Sequence, residues 1–360
     1  MLRETPIRLL VAASGTGGHL FPAIATAAHL SDYEIEWLGT PDRLETQLVP
    51  EQYFLHTISL GGLQGRLGLG TVRRLGQLLR SILQVRQILK QGNFQGVFTT
   101  GGYIAAPAII AARSLGLPSI LHESNALPGK VTRWLSPWCS MVALGFEAAL
   151  PRLSRAKSIC VGTPVRSQFL AASKTLLEDL AIPNSAPLVA VVGGSQGAVA
   201  VNQLVRQCAP AWFKAGAWIV HLTGDNDPEA DSLEHSQYIH MPFYNNMAAL
   251  LKRSDLVISR AGAGTLTELA VTKTPSILIP YPYAAEDHQA YNAAAFAAAG
   301  AAQVCRQSEL TPEILRDKVL NLLESRDRLQ QMATASGGLA IMDSAERLAE
   351  LVQRVIEGKP

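Results

Sequence analysis

Short apolar runs alternate with longer amphipathic stretches along the chain. Apolar runs separated by helix-length segments predict parallel strands with helices packed on both faces of the sheet. Two such series occur, one before and one after about residue 163, and 360 residues are enough for two domains. We therefore predict an α/β chain of two doubly wound domains. The predicted strands span residues 7–13, 35–38, 96–100, 119–122, 141–144, 188–192, 218–222, 256–259 and 276–279.

The boundary between the two series is predicted in the stretch VGTPVRSQF. Gly162 and Pro164 are turn residues there, and the strand–helix pattern restarts afterwards. We expect a first domain at residues 1–163 and a second at 164–342. The last stretch, 343–360, carries an apolar stripe at helical spacing. We expect it to form a helix that packs back on the first domain.

A glycine-rich loop follows the first predicted strand of each series. The loops read GTGGH at residues 15–19 and GGSQG at residues 193–197. Neither matches GxGxxG or a P-loop, and no acidic residue ends the second strand, so dinucleotide-dependent oxidation and ATP hydrolysis are disfavoured. Glycines at a helix N-terminus let backbone N–H groups approach an anion, so the pair predicts a diphosphate-bearing ligand between two domains. His19 is either a proton acceptor or a helix-capping residue.

The charge distribution is uneven although the chain as a whole is nearly neutral. Residues 1–163 carry 15 Lys and Arg against 9 Asp and Glu, and the remainder carries 16 against 20. No acidic residue occurs between Glu51 and Glu123. This asymmetry predicts a basic surface for an anionic partner such as a membrane, and no nucleic-acid partner is expected.

Cysteine spacing and hydropathy exclude several classes of protein. The four cysteines are far apart and form no CxxC pair, which indicates reduced thiols and no zinc site. No stretch approaches about 18 uninterrupted apolar residues, so no membrane span is expected. No signal peptide is recognised at the N-terminus.

Six motifs occur in a fixed order along the chain and point to one family. They read GTGGHLFPA, TTGGYIAAPA, LHESNALPGK, GTPVR, GGSQGA and RAGAGTLTELA. Together they closely resemble the MurG family, the N-acetylglucosaminyltransferases of peptidoglycan synthesis, over nearly the whole chain. The resemblance implies a GT-B fold, in which two Rossmann-like domains flank a cleft. It also implies that the first domain faces the acceptor and the membrane, and that the second binds a UDP-sugar.

The resemblance implies a reaction and its setting. N-acetylglucosamine passes from UDP-N-acetylglucosamine, with inversion, to the 4-hydroxyl of the muramyl sugar of lipid I (undecaprenyl-pyrophosphoryl-MurNAc-pentapeptide), which gives lipid II. The enzyme is expected to be peripheral at the cytoplasmic face of the plasma membrane. Other proteins of cell-wall synthesis are expected partners, and neither a cofactor nor a metal is expected.

Catalytic and first-domain binding roles are implied for the matching positions. His19 is the expected base, with a positioning role as the main alternative. Glu123 and Tyr103 are second choices for acid–base work or acceptor binding. The loop that faces the donor is implied to consist of Thr16, Gly17 and Gly18. Asn125 is an implied contact to the donor sugar, and Arg166 is an implied diphosphate ligand.

The implied contacts of the second domain surround the nucleotide-sugar. The backbone at Tyr244 is expected at the uracil, and Glu268 suits the ribose because a carboxylate accepts hydrogen bonds from both hydroxyls. Ser195 is an implied diphosphate ligand, and Gln289 and Asn292 are implied contacts to the sugar hydroxyls. The segment that ends at Glu268 is implied to line the nucleoside, and its other residues are Ala263, Gly264, Thr265, Leu266 and Thr267.

The stretch GRLGLGTVRRLGQLLRSILQVRQILKQG, residues 65–92, predicts a basic amphipathic helix. Its apolar side is expected to meet an anionic membrane surface; packing on its own sheet is the alternative. The apolar positions are Leu75, Leu78, Leu79, Ile82, Val85, Ile88 and Leu89, and the interleaved basic residues are Arg66, Arg73, Arg74, Arg80, Arg86 and Lys90.

Other interpretations stay open at this point. A glycosyltransferase acting on diacylglycerol shares the fold and the need for a membrane. A non-catalytic UDP-sugar-binding partner of a cell-wall complex is a second alternative. The segment GDNDP contains a DxD string, Asp225 to Asp227, as found in metal-dependent glycosyltransferases. The string is short and lies among turn residues, so we do not expect a metal there.

Overall fold

The computed structural model describes residues 6–41, 44–60, 69–171, 177, 179–194 and 197–358, with the side chains of 69–74 outside the description. The chain divides into two units. Unit 1 comprises the residues up to Arg166 together with the stretch from Asp343 onward, and unit 2 runs from Ser167 to Met342. The expected boundary at residues 163 and 164 lies just before this division.

Unit 1 is built on a seven-stranded parallel sheet with the order β3-β2-β1-β4-β5-β6-β7. Leu9 of its first strand pairs with Ile35 on one side and Gly96 on the other. The strand order therefore reverses between β1 and β4. The strands are β1 (Ile7–Ala12), β2 (Tyr33–Gly39), β3 (Phe54–Thr57), β4 (Gly96–Thr99), β5 (Ser119–Glu123), β6 (Met141–Leu144) and β7 (Ser158–Cys160).

Helices cover both faces of this sheet. Leu9 and Val11 of β1 pack with α1 and α13, whereas Leu10 and Ala12 point to the opposite face and pack with α3 and α4. The C-terminal helix thus lies on unit 1. The helices of this unit are α1 (Gly17–Ala27), α2 (Glu45–Leu48), α3 (Leu69–Gln91), α4 (Ala105–Ser114), α5 (Lys130–Leu135) and, from the C-terminus, α13 (Ser344–Glu357).

Unit 2 repeats the arrangement with a six-stranded parallel sheet of order β10-β9-β8-β11-β12-β13. Its strands are β8 (Leu188–Val192), β9 (Trp218–Leu222), β10 (Tyr238–Met241), β11 (Leu256–Ser259), β12 (Ser276–Leu278) and β13 (Ala302–Val304). Its helices are α6 (Ser167–Leu170), α7 (Val199–Lys214), α8 (Met247–Arg253), α9 (Ala263–Thr272), α10 (His288–Ala298), α11 (Pro312–Leu323) and α12 (Arg326–Gly338). The predicted pair of doubly wound domains is confirmed.

Four strands were not predicted, and each lies at the edge of a sheet. They are β3 and β7 in unit 1 and β10 and β13 in unit 2. An edge strand has one neighbour and is only partly covered, so it lacks the continuous apolar run of an interior strand. In β3, Phe54 is 65% exposed.

Helix α3 corrects the prediction of a single apolar side facing a membrane. Val85 and Leu89 are buried in the interior of unit 1, and Ile82 and Ile88 pack against the same cluster. The apolar positions therefore divide between two faces of the helix. Leu75 and Leu79, together with Leu83 one turn later, remain exposed on the other face.

A buried ion pair holds the loop that follows β9 in unit 2. Arg206 of α7 donates to both carboxylate oxygens of Asp227, at 2.8 and 3.2 Å, and Asn202 donates to the same carboxylate at 2.7 Å. Burial alone would raise the pKa of Asp227, but the hydrogen bonds from Arg206 and Asn202 outweigh it and hold that pKa below its ordinary value. Burial lowers the pKa of His221 to about 3, so this ring accepts or donates hydrogen bonds as a neutral group.

The ion pair generates a prediction about stability. Asp227→Asn leaves Arg206 buried beside a neutral amide, so we expect the free energy of unfolding to fall by about 3 kcal/mol near pH 7. The pKa of Asp227 is lower in the folded state, so below about pH 4 the unfolded state takes up the proton first. The advantage of the wild type should then shrink until the folded carboxyl is protonated too. Urea denaturation across this pH range measures both effects.

Asp225→Asn, a change at an exposed carboxylate two residues earlier, is the matched control. We expect it to leave the unfolding curve nearly unchanged. Equal destabilisation by the two substitutions, or a wild-type advantage that is undiminished in acid, would contradict this account of the pair.

Candidate functional site

The carboxyl ends of β1 and β4 bring two loops together in unit 1. The strand order reverses between these strands, and ligands of doubly wound sheets bind at such a reversal. The loop after β1 leads into α1, with Thr16 in extended conformation as the N-cap and Gly17 and Gly18 in the first turn. The first N–H groups of a helix have no partner within it, so this end of α1 favours an anion.

His19 is held by the neighbouring loop. Its Nδ1 lies 2.7 Å from the carbonyl oxygen of Thr100, and the Thr100 hydroxyl donates to the His19 carbonyl at 2.9 Å. A carbonyl oxygen only accepts, so the ring carries its proton on Nδ1 in the neutral form and Nε2 keeps its lone pair. The ring lies against Gly101 and Gly102, whose φ angles of 92° and 74° favour glycine.

Glu45 supports the glycine loop that follows β1, and it was not predicted as a site residue. It is fully buried, and its Oε2 accepts from the Gly15 N–H at 3.1 Å while its Oε1 accepts from the Thr40 N–H and hydroxyl at 2.7 and 2.8 Å. Burial would raise the pKa of Glu45, but these donors lower it. The stretch TPDRLETQLV contains two acidic residues, and nothing in its sequence assigns this role to Glu45.

Glu123 organises the loop that follows β5. One carboxylate oxygen accepts from the backbone and side-chain N–H groups of Asn125, at 3.0 and 2.9 Å. The other accepts from the Gly129 N–H at 3.0 Å and the Thr132 hydroxyl at 2.6 Å. Both oxygens are thus engaged, and the Asn125 amide predicted to contact a sugar is tied to Glu123.

Other predicted residues of unit 1 surround the same edge. The guanidinium of Arg166 stacks over the Phe21 ring of α1, 4.6 Å from its centroid. Tyr103 follows Gly102, shortly before α4 begins at Ala105, and its side chain is 39% exposed. His122, which was not predicted as a site residue, is fully buried and donates from Nε2 to the Gly162 carbonyl at 2.9 Å, and burial lowers its pKa. It therefore braces the end of β5 as a neutral ring.

In unit 2 the corresponding loops follow β8 and β11. Gly197 packs so closely on Thr223 that a Cβ would lie 2.4 Å from its carbonyl oxygen. Its N–H donates to Gly194 O at 2.9 Å, shortly before α7 begins. Ser195, the predicted diphosphate ligand, lies outside the described residues.

Space is open above the N-terminus of α9. A Cβ added at Gly262 or Gly264 would meet no atom within 4 Å, so protein packing does not require these positions to lack a side chain. Thr265 and Glu268 lie half-exposed on the same helix. A helix N-terminus with no described atom within 4 Å of a Cβ at these two positions suits a bound group.

Two side chains in the predicted nucleoside-binding segment make contacts within unit 2, and their contact with a nucleoside stays a prediction. Leu266 is fully buried, so only its backbone can line a ligand. The Thr267 hydroxyl donates to Ala263 O at 2.9 Å, one turn back in α9. Ala263, the first residue of the helix, is also buried.

The remaining predicted residues of unit 2 hold the loops in place. Gln289 Oε1 accepts from the N–H groups of Ala261 and Tyr281, at 3.2 and 2.9 Å. Asn292 is fully buried and donates to Ala261 O at 3.2 Å. It lies beneath the exposed surface, and its contact with a sugar hydroxyl stays a prediction.

Tyr244 directs its side chain into unit 2. Its hydroxyl donates to the Asp179 carboxylate at 2.8 and 3.0 Å. Burial and this carboxylate raise the pKa of Tyr244 above its ordinary value. The contact of its backbone with uracil stays a prediction.

The DxD string does not present paired carboxylates. Asp227 is buried against Arg206, as described above, and Asp225 is exposed. Within the described part of the chain, no three His, Cys, Asp or Glu side chains are grouped as a metal site would need.

Together these groups form an anion-favouring helix end beside an oriented imidazole in unit 1, and an open helix N-terminus beside a carboxylate in unit 2. The first can hold a phosphate and accept a proton, and the second can hold a polar ligand with paired hydroxyls. The glycine loops and the motifs around His19 and Arg166 have recognisable sequence patterns. The supporting role of Glu45 depends on its contact with Gly15, 30 residues earlier, and that of Glu123 on how the loop up to Thr132 folds.

Comparisons with known proteins agree over the whole length. Models of the glycosyltransferase family 28 N-terminal and C-terminal domains match residues 9–144 and 188–354. A protein of Nostoc punctiforme is 66% identical over 99% of this chain and 100% of its own length. It is named "UDP-N-acetylglucosamine--N-acetylmuramyl-(pentapeptide) pyrophosphoryl-undecaprenol N-acetylglucosamine transferase". A protein of the same name from Trichodesmium erythraeum is 61% identical over 99% of this chain and 94% of its own length.

A solved structure also matches both units. The crystal structure of Acinetobacter baumannii MurG aligns with a TM-score of 0.79 and 29% sequence identity, and covers 97% of this chain and 100% of that chain. The GT-B fold expected from the sequence motifs is thereby confirmed.

Glu45 generates a prediction for the glycine loop. Glu45→Gln keeps the size of the side chain, but either orientation of the amide sets its NH2 group against the donors of Gly15 or Thr40. We expect the free energy of unfolding to fall by about 2 kcal/mol and the Gly15 amide to exchange faster with solvent. Urea denaturation and amide hydrogen exchange measure these effects.

The exposed Glu51, in the segment that follows α2, provides the control Glu51→Gln. It should change neither quantity. If the Gly15 amide stays equally protected in Glu45→Gln, Glu45 does not hold the loop.

Proposed function

This chain belongs to glycosyltransferase family 28, and we propose that it transfers N-acetylglucosamine from UDP-N-acetylglucosamine to N-acetylmuramyl-(pentapeptide) pyrophosphoryl-undecaprenol. The observation that carries this function is the 66% identity over 99% of the chain to a transferase named for that reaction. The product is the disaccharide lipid II of peptidoglycan synthesis. The alternatives of a diacylglycerol glycosyltransferase and a non-catalytic binding partner have no such support.

The proposed donor site lies at the carboxyl edge of the unit 2 sheet. The open space above Gly262 and Gly264 admits the nucleoside to the N-terminus of α9. Glu268 on that helix is the proposed ligand of the ribose hydroxyls, because a carboxylate accepts from two donors at once. Gln289 is the proposed sugar contact, since its Oε1 already fixes its position and leaves its NH2 group to donate.

His19 is the proposed base for the acceptor. Its Nε2 takes the proton of the muramyl 4-hydroxyl while that oxygen forms a bond to the anomeric carbon of N-acetylglucosamine. The bond from the anomeric carbon to the UDP oxygen breaks, and UDP departs with the electron pair. Attack opposite the leaving group inverts the anomeric centre. Negative charge develops on the diphosphate, where N–H groups of Gly17 and Gly18 and the Arg166 guanidinium are the proposed stabilising partners.

Glu123 is proposed as a positioning residue rather than as the base. Its four hydrogen bonds hold Asn125 and the start of α5, so the carboxylate acts through the loop it organises. Tyr103, exposed beside the His19 loop, is retained as an acceptor-binding residue.

The test of the proposed function is transfer of radiolabelled N-acetylglucosamine from its UDP donor to a short-chain lipid I analogue. Diacylglycerol is the competing acceptor in a parallel reaction. Transfer to the lipid I analogue alone is the expected result. Transfer to diacylglycerol instead, or tight donor binding with no transfer to either acceptor, would reject the function.

His19→Ala removes the proton acceptor but none of the proposed donor-binding residues of unit 2. We expect kcat to fall by about 10²- to 10⁴-fold while the Kd for UDP-N-acetylglucosamine stays nearly the same. Steady-state transfer and calorimetric donor titration measure the two quantities. The exposed His29, directly after α1, provides the control His29→Ala, which should keep full activity. If His19→Ala keeps its activity, His19 is not the base.

We also propose that unit 1 meets the cytoplasmic face of the membrane through α3. Leu75, Leu79 and Leu83 lie one turn apart and are each nearly 60% exposed. Exposed Arg80 and Lys90 lie on the same helix, and a leucine row with basic neighbours suits an anionic bilayer surface. Arg66 and the side chains of Arg73 and Arg74 lie outside the described part of the structure.

The described residues include no helix long and apolar enough to cross a bilayer. The association that we propose, through the exposed leucines of α3, is peripheral.

Replacing Leu75, Leu79 and Leu83 with serine tests this surface. We expect the partition coefficient on phosphatidylglycerol-containing vesicles to fall by at least about tenfold, because apolar area no longer leaves water on binding. Vesicle co-sedimentation measures it. The control is a triple serine variant at exposed apolar residues of unit 2, Ile314, Leu339 and Met342. An equal loss in both variants would exclude α3 as the membrane-binding helix.

A further inference from the structure

Two exposed tyrosines lie between β12 and α10 of unit 2, in residues 279–287, which we call the tyrosine loop. Tyr283 is 82% exposed and Tyr281 is 43% exposed. Their ring centroids are 5.6 Å apart and the ring planes meet at 74°, an arrangement that aromatic pairs favour. Aromatic rings that are gathered on a surface, rather than scattered singly, indicate that a ligand covers them.

Contacts with the preceding strand end fix the first half of the tyrosine loop. Arg260, directly after β11, donates to Ile279 O and Pro280 O at 3.1 and 3.3 Å. Its guanidinium carbon lies 5.5 Å from the centroid of the Tyr281 ring. The Tyr281 carbonyl accepts from the Ala284 N–H at 3.2 Å. The chain that carries the two rings is thus ordered before a ligand binds, which lowers the entropic cost of binding.

The end of the tyrosine loop has a backbone conformation that residues other than glycine rarely adopt. Glu286 and Asp287 are consecutive, and their φ angles are 53° and 57°. Arg306 Nη1 donates to both carboxylate oxygens of Asp287, at 2.9 and 2.7 Å, and so holds the second of these residues. Strained backbone of this kind clusters at ligand-binding sites, where surrounding contacts maintain it.

Gln289 joins the tyrosine loop to the proposed donor site. Its Oε1 accepts from the N–H groups of Tyr281 and Ala261, at 2.9 and 3.2 Å, so these two stretches of backbone lie close together. Ala261 shortly precedes α9, whose N-terminus is the proposed nucleoside site. The tyrosine loop therefore adjoins the donor site at the residue proposed to contact the sugar.

The chemistry of a pyranose ring matches a glutamine amide beside an exposed aromatic ring. Its hydroxyls point outward and bind polar groups, whereas the C–H groups on its two faces are apolar. An aromatic side chain in contact with such a face removes apolar surface of both partners from water. Sites for small polar ligands combine apolar contacts with a few placed hydrogen-bonding groups in this way.

We propose that the ring of Tyr283 packs against a C–H face of the donor's N-acetylglucosamine, with Tyr281 supporting that ring. This inference rests on the proposed function and adds to it a residue that recognises the sugar rather than the nucleotide. Tyr283 transfers no proton; it contributes binding energy that UDP alone does not obtain.

The test is calorimetric titration of the wild type and Tyr283→Ala with UDP-N-acetylglucosamine and, separately, with UDP. We expect the Kd for the nucleotide-sugar to rise about tenfold in the variant and the Kd for UDP to change less than about twofold. Because Tyr283 is so exposed, its truncation should leave thermal unfolding unchanged. Tyr283→Phe keeps the ring and should bind both ligands as the wild type does.

The matched control is Phe54→Ala, which removes a 65% exposed aromatic ring from β3 of unit 1. It should change neither Kd. The titrations need no acceptor and no turnover. A wild type that binds UDP-N-acetylglucosamine but transfers it to no acceptor therefore rejects the proposed function while the result at Tyr283 still stands.

Three results would overturn the contact between Tyr283 and the sugar. The first is an unchanged Kd for UDP-N-acetylglucosamine in Tyr283→Ala, including the case in which only the KM for the lipid I analogue rises. The second is an equal rise of both Kd values, because the substitution would then act on the nucleotide or on the loop as a whole. The third is no binding of UDP-N-acetylglucosamine by the wild type, which would reject the proposed function as well.

Discussion

The hydrogen bond between His19 Nδ1 and the Thr100 carbonyl joins the two loops on which the site in unit 1 depends. It forms because β1 and β4 are paired parallel strands, which sets their carboxyl ends side by side at the point where the strand order reverses. The carbonyl can only accept, so it determines which ring nitrogen carries the proton and which keeps a lone pair. Gly101 and Gly102 lie against the ring, so the loop supports the imidazole as well as binding it.

Buried carboxylates hold the surrounding loops in the shape that this hydrogen bond needs. Glu45 accepts from Gly15 and Thr40, and Glu123 accepts from Asn125, Gly129 and Thr132. In unit 2 the Asp227 carboxylate does the same for its loop through Arg206 and Asn202. An acidic side chain close to a site can therefore support the loop around it rather than react, and its bonding partners decide between the two.

Interior strands and glycine loops could be predicted from the sequence, because each leaves a local signature. A strand buried on both faces is a continuous apolar run, and a tight strand-to-helix turn needs glycine. Edge strands such as β3 and β10 leave no such run, since half of their surface meets water. Helix α3 shows a related limit: its apolar positions are visible in sequence, but the division between Val85 in the interior and Leu79 outside depends on the sheet it packs against.

The neutral tautomer of His19 is the most direct test of how unit 1 prepares its proposed base. Two-bond ¹H–¹⁵N NMR spectra of protein labelled with ¹⁵N-histidine, recorded where the ring is neutral, distinguish the two nitrogens, and His19→Ala assigns the signal. The account predicts a proton on Nδ1 and a bare Nε2. A proton resident on Nε2, or the mixture of tautomers that free histidine shows, would contradict it, because the Thr100 carbonyl would then not orient the ring for proton transfer.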